Sequence, residues 1–399
     1  MFLLQQGWGM IDMIRVFLQR HPSTGVILSP RICEREQMEY YVPSYSDISG
    51  TKLLFDPHFY EPHTHLKRIL SYPYYQDYNF QTQTFDTRRF CENVISYQTN
   101  ILGLDSIILP GRYVNSLTEP WLQMQHDFAH IGSSVDAQTV YSTVAVGPDV
   151  IMNSDNFNTI IDEVVNYPVN GIYFVFEHLN NDFLLNEEFL YIILDGLLSI
   201  VLSGKHVIVG YSNQQCIALV AAGVDCIASG NYRNVRAFDH LNSTDRDDTN
   251  LRKGLWYFDG NTFGEYKIPA LSLAFRRDLK QYFGPSTQFA TDLLESSVPT
   301  SIVWREPDAF RHYFELMYQY CQIIFAIPKK DRAQYILEFF KQRERVNVVL
   351  KQRGFTFGDR GFDQAVLSTI SALESFISDR KSELSSLYCH VTLVMTHRI

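Results

Sequence analysis

The sequence predicts a parallel α/β fold, a (β/α)8 barrel of the TIM type carrying a helical C-terminal region. Three observations point there. Short, nearly continuous apolar runs rich in β-branched residues recur along the first 230 or so residues, as strands buried on both faces require. Segments with helical periodicity separate most of them, which is the alternation of a parallel sheet with crossover helices. From about residue 288 the strand-like runs stop and long helical patterns take over. The chain of 399 residues therefore divides into a barrel domain over 1–285 and a helical region over 286–399.

The expected strands are Val26–Ser29, Lys52–Asp56, Ser106–Pro110, Ser142–Val146, Gly171–Glu177, His206–Gly210 and Val224–Ala228. The eighth has two candidates, Tyr266–Leu273 and the first residues of the chain. Helices are expected over Asp86–Leu102, where Asp86 can cap and Gly103 can stop, over Asn156–Val165 and Glu187–Leu202, and over Asn213–Ala222 ahead of Gly223. Three longer ones follow, Arg311–Ile324, Lys330–Arg343 and Gln364–Leu387.

Composition limits the function. A net charge of −10 argues against a chain that coats nucleic acid by bulk charge, but leaves room for a local basic groove. None of the six cysteines forms a C-x-x-C pair, so a zinc ribbon or knuckle is not expected and reduced thiols in a cytoplasm are. The N-terminus lacks the basic start and apolar centre of a signal peptide. No uncharged apolar run approaches the length of a membrane span. A P-loop, a G-x-G-x-x-G opening a helix and a G-x-S-x-G elbow are all missing, which removes the key motifs of kinases, dinucleotide enzymes and α/β-hydrolases. No cofactor is expected.

Barrels of this kind place their chemistry at the C-terminal ends of the strands, and that rule selects residues. Asp56 closes KLLFD ahead of Pro57, which fixes the following loop. Glu177 closes GIYFVFE in the same way. Two carboxylates on different strands can act as acid and base, or as nucleophile and partner, in glycosidic bond cleavage; each can instead pair with one of the nearby arginines. Arg31, His58, Tyr60, Arg112, Tyr211, Asn213, Ser229 and Asn231 follow other strand ends and are candidate substrate contacts. Arg233 and Arg236, in the Ser-Gly loop after VDCIAS, suit a phosphate, with Arg276 and Arg277 as further phosphate contacts. Basic residues between Lys329 and Arg360 can form a stripe along a nucleic-acid backbone, or simply the charged outer face of helices. His63 and His65 flank Thr64, but two histidines alone do not make a metal site, and none is predicted.

LLFDPHFYEP, with GVDCIASGNYRNVRAFD, resembles two motifs of the tRNA-guanine transglycosylases and of their relatives that place deazapurines in DNA. Asp56 matches the Asp that opens the family's Ser-Gly-Gly-Phe-Gln run, although Pro57, His58, Phe59 and Tyr60 follow it here. Gly223, Val224, Asp225, Arg233, Asn234 and Arg236 lie along the family's late-strand motif. The resemblance covers these motifs within residues 25–240. Where the family carries its covalent nucleophile this chain has Ala228, and its cysteine zinc site is missing. The resemblance thus implies a barrel, with base removal in place of base exchange: a DNA glycosylase that flips a base into the mouth, with Asp56 activating water or stabilising an oxocarbenium-like sugar. In this it is similar to bacterial antiviral glycosylases that take modified bases from phage DNA. A barrel hydrolase or lyase acting on a phosphorylated sugar or nucleoside, a base-exchanging enzyme and a degenerate barrel that only binds are the alternatives.

Overall fold

The computed structural model describes residues 1–62, 67–178, 183–240 and 255–387. Its first half runs β1 (Phe2–Gln5), α1 (Ile11–Arg20), β2 (Gly25–Leu28), α2 (Arg35–Ser46), β3 (Lys52–Phe55), α3 (Thr87–Ser96), β4 (Ser106–Ile108), the short β5 (Tyr113–Val114) and α4 (Glu119–Gly132). Then come β6 (Thr139–Val146), α5 (Pro148–Ile151), α6 (Ser154–Asn166), β7 (Gly171–Phe176), α7 (Glu187–Leu202), β8 (His206–Val209) and β9 (Cys226–Ser229). A hairpin of β10 (Trp256–Phe258) and β11 (Glu265–Lys267) leads into α8 (Ile268–Arg276), α9 (Thr291–Glu295), α10 (Glu306–Ala326), α11 (Lys329–Gln352), α12 (Ala365–Asp379) and α13 (Lys381–Ser386).

The sheet order is β3-β2-β1-β9-β8-β7-β6-β4, with every neighbour parallel. Its two ends, β3 and β4, come together, so the sheet is a nearly closed eight-stranded barrel wrapped in helices. The eighth strand is the chain's first residues. Tyr266–Leu273 instead straddles the end of β11 and the start of α8. Helix signals hold at their caps: Asp86 accepts from the Arg89 amide, and Asn213 accepts from that of Gln215. The run after Asn213 is a 3-10 helix, Gln214–Ala222, ended by Gly223 at φ +87°.

Between β3 and β4 no ladder forms among the described residues, and one side chain takes its place. The Gln98 amide donates to the Ile108 carbonyl (2.7 Å) and accepts from the Ile108 amide (3.0 Å). In a parallel strand both groups of one residue point to the same side. Gln98 therefore satisfies the pair that a β3 partner would have taken. Nearer the mouth the Tyr60 carbonyl accepts from the Tyr113 amide at 3.0 Å.

Strand alternation sorts the side chains. Leu3, Ile27, Leu54, Ile108, Tyr173, Val175, Ile208 and Ala228 fill the barrel, while Phe2, Val26, Phe55, Phe174 and Phe176 face the helices. The C-terminal helices are part of that outer layer: Phe314 and Met317 of α10 and Leu373 and Phe376 of α12 join the same core. Ion pairs from Lys329 to Asp225 and from Arg380 to Asp195 tie them on. The hairpin and α8 pack with Trp304, Leu350, Phe355 and Phe357 in a separate apolar cluster. Among the described residues no helix is long and apolar enough to cross a membrane, and the five described cysteines are free and buried.

Candidate functional site

Asp56 stands one residue beyond β3, and its parity with Leu54 turns it into the barrel. It is 1% exposed. One carboxylate oxygen accepts from the His58 amide at 2.8 Å. The other accepts from the hydroxyl of Tyr60 at 2.8 Å, of Tyr211 at 3.3 Å and of Tyr173 at 3.5 Å. Tyr173 also reaches the Gln5 side-chain carbonyl at 3.2 Å. Desolvation pushes the Asp56 carboxyl up to about 6, against the pull of these four hydrogen bonds.

Local backbone features build this nest. His58 and Tyr211 both adopt positive φ, +54° and +50°, a conformation that non-glycine residues rarely take and that clusters at functional sites. Gly210 shares the inward parity of Ile208, and a Cβ there would lie 2.5 Å from the Tyr173 hydroxyl oxygen. Only glycine lets that hydroxyl reach Asp56.

A roof of rings closes the nest. Phe238 lies 5.0 Å from Tyr60 and 5.4 Å from Tyr211, edge to face. Its carbonyl accepts from the His178 amide at 2.9 Å, which fixes the segment beside β7.

Glu177, one residue past β7, is 7% exposed. One oxygen accepts a short hydrogen bond from the Tyr113 hydroxyl; the other lies 2.5 Å from His240 Nδ1. Tyr113 stacks on His240 at 4.5 Å. Glu177, Asp239 and His240 each offer a ligand atom within 4.8 Å of the others. These residues are suited to hold a divalent cation, although no metal site is predicted from the sequence. His63 and His65 lie outside the described residues.

The remaining candidates separate. Arg31 sits close enough to His58 and Tyr211 to act on both electrostatically. His58 is buried and neutral, its pKa pushed down to about 3 by burial and then by Arg31. Arg112 turns away from Asp56, donating to Tyr78 and Gln83 with its guanidinium over Phe59. Ser229 faces outward and bonds Tyr313 of α10 at 2.9 Å, because Ala228 holds the inward position. Asn231 is buried and donates to the Trp8 carbonyl.

Asn213, Arg233 and Arg236 line a recess beside the roof, together with Gln214, Glu265 and Arg360. Arg236 is committed there: its guanidinium donates to the carbonyls of Gly230 and Asn231, pairs with Glu265 at 2.5 Å and lies 3.4 Å over Tyr313. Its contacts shape the loop instead of projecting toward a phosphate. Burial works against the charge of Glu265, but Arg236 and Arg360 outweigh it and hold its pKa below the ordinary range.

Arg276 and Arg277 end α8, outside the recess, with Arg277 donating to the Gly354 carbonyl. The basic stripe is broken up by the same demand for partners. Arg332 and Arg343 are buried, Arg332 on the Phe325 and Ile327 carbonyls and Arg343 over Phe339. Lys329 and Lys341 are paired with Asp225 and Glu374. Asp225, aligned above with a motif, precedes β9 and so lies at the end of the barrel opposite Asp56.

Tyr173, Gln5, Tyr113, Phe238, Asp239 and His240 complete the site and are absent from the sequence-derived set. Tyr173 is within reach of sequence reasoning, since it shares the inward parity of Glu177 in GIYFVFE. Phe238 and Asp239 close the GVDCIASGNYRNVRAFD block, which gives no sign of their pairing beside Glu177, and Gln5, Tyr113 and His240 depend on barrel closure.

No known family and no curated protein matches the chain. Solved structures that resemble it include a mutant of the Thermobaculum terrenum O-GlcNAc hydrolase, with 12% identity, TM-score 0.37 and 96% of each chain covered. The enoyl reductase domain of MlnA from the macrolactin biosynthesis cluster of Bacillus amyloliquefaciens gives 10%, 0.30 and 96% of each chain. The carboxyl transferase domain of Rhizobium etli pyruvate carboxylase with pyruvate and biocytin gives 8% and 0.36, over 97% of this chain and 80% of that one. Likenesses this distant transfer no function.

Proposed function

We propose that the chain is an enzyme that hydrolyses N-glycosidic bonds, removing a modified base from DNA in anti-phage defence. The observation that carries this reading is Asp56, a carboxyl with a pKa near 6 held by three tyrosine hydroxyls under an aromatic roof. A general base works best when its pKa lies near the working pH. A flipped base displaces Phe238 and stacks among Tyr60 and Tyr211. Asp56 takes a proton from water, whose oxygen bonds the sugar C1′ as the C1′–N bond breaks. Glu177 and His240 deliver a proton to the leaving nitrogen. The tyrosine hydroxyls hold Asp56 in place and stabilise its charge. The late-strand motif that resembles the transglycosylases lacks a nucleophile at Ala228, whose side chain points into the apolar interior, so water takes that role.

The test is incubation of the protein with phage DNA carrying modified bases and with plain DNA, counting abasic sites. Release from modified DNA that Asp56→Asn abolishes is the expected result. No abasic sites on any DNA defeats the reading.

A second reading rests on Glu177, Asp239 and His240. A divalent cation held there would supply activated water, and its signature is activity lost to a chelator and restored by added metal.

A further inference from the structure

We propose that Trp8 and Arg68 form a stacking platform for a nucleobase of a DNA strand lying across the edge of the barrel mouth. The proposal rests on DNA being the substrate and adds where the strand is held. Trp8 follows β1, at the Asp56 end of the barrel, and is 59% exposed. An indole left in water forgoes a large apolar burial.

The loop that presents it is built firmly. The buried Asn231 donates to the Trp8 carbonyl at 2.9 Å. Gly7 presses so closely on Asn231 that a Cβ there would lie 2.0 Å from its side-chain oxygen. Gly9 adopts φ +71° to bring the chain back. Replacing either glycine would move the indole.

Arg68 places its guanidinium 4.9 Å from the centre of the Trp8 ring and donates to the Arg31 carbonyl. Arg31 in turn acts on His58 and Tyr211, the neighbours of Asp56. The platform is thus in direct contact with the loop of Arg31, whose charge is felt at the neighbours of Asp56. A flat π-face offers stacking to any base, and a guanidinium beside it offers a second plane and a charge for phosphate. The guanidinium of Arg68 brings positive charge to the ring in a chain whose net charge is −10. The occupant that matches ring and charge together is a nucleotide next to the flipped one.

Titration of the full chain with a short single-stranded oligodeoxynucleotide at low salt, followed by tryptophan fluorescence, tests the platform. Trp121 and Trp304 are buried and Trp256 is half-buried, so the part of any saturable quenching that Trp8→Ala removes is the signal of Trp8. Trp8→Ala should lose the quenching and bind about tenfold or more weakly. Trp8→Phe, which keeps a ring, should retain most of the affinity. Absence of quenching in the wild type, or unchanged binding by Trp8→Ala, overturns the proposal. Abasic-site counts on the same proteins separate it from the parent reading. Affinity lost in Trp8→Ala with no base released by the wild type leaves the platform standing and the glycosylase reading fallen. Base release with binding insensitive to Trp8→Ala gives the reverse.

Discussion

The ring of Phe238 lies edge to face against Tyr60 at 5.0 Å, and the backbone of the same residue pairs beside Glu177. One residue therefore shields the first carboxylate and fastens the segment bearing the second. In the proposed reaction this ring moves to admit a base to Asp56. Phe238→Ala should hydrate the nest, and with less desolvation the Asp56 carboxyl should titrate below its present value of about 6. The acid limb of a pH–rate profile for base release is expected to shift downward. An unchanged limb would show that Phe238 is not what keeps water out.

Asp56 also sets a pH dependence of stability. Its folded pKa, about 6, is above the ordinary 3.8, so the folded state holds the proton more tightly than the unfolded chain. Stability from this group is fully present below about pH 4 and is lost as pH rises through 6, a cost of about 3 kcal/mol at pH 8. Asp56→Asn should therefore abolish activity while gaining stability relative to wild type between pH 4 and 8, read as a growing difference in denaturant midpoint. Asp259, buried and likewise raised to about 6, stays as a constant background in both proteins. Asp56→Asn that is equally or less stable at pH 8 contradicts the assignment.

Glu177→Gln keeps shape but removes the charge that His240 faces. A loss of base release of at least about a hundredfold is expected, the usual scale of general acid–base catalysis. Chelator treatment of the wild type separates the two chemical readings. Activity that survives it belongs to the metal-free route, and activity that vanishes and returns with divalent cation belongs to Glu177, Asp239 and His240 acting as ligands.

Arg236→Ala should behave as a stability variant. It leaves two buried carbonyls unpaired and Glu265 with Arg360 alone. Breaking one partner of a buried pair costs about 3–5 kcal/mol. Chemical denaturation should show that loss, and the salt dependence of DNA binding by the folded fraction should stay the same. A changed salt slope would return Arg236 to the phosphate contacts.

Gln98→Leu removes the substitute for a ladder partner at Ile108. An unpaired buried amide and carbonyl cost about 1–3 kcal/mol each. Hydrogen exchange at the Ile108 amide should rise more than elsewhere in β4.

The barrel was legible because its strands are apolar on both faces and its helices carry cap residues such as Asp86 and Asn213. Asp56 and Glu177 were legible through position, each ending such a strand. Strand parity explains the outward direction of Ser229, since the residue after inward Ala228 must face out. The partners of the arginines were hidden for another reason. Sequence shows a charge but not its burial, and Arg236, Arg332 and Arg343 are all buried among carbonyls and rings. Phe238 and His240 were invisible because a long-range backbone pairing, not a motif, brings them to Glu177.

The place of β1 between β2 and β9 has a consequence for synthesis. Phe2 pairs with Ile227, so one edge of the first strand waits for almost the whole barrel to be translated. At ordinary elongation rates of about 5–20 residues per second, that wait is roughly ten to forty-five seconds. Throughout it an apolar strand offers unpaired amides and carbonyls, the kind of edge that recruits other chains. Yield in the cell should therefore depend on whatever shelters nascent chains during that interval.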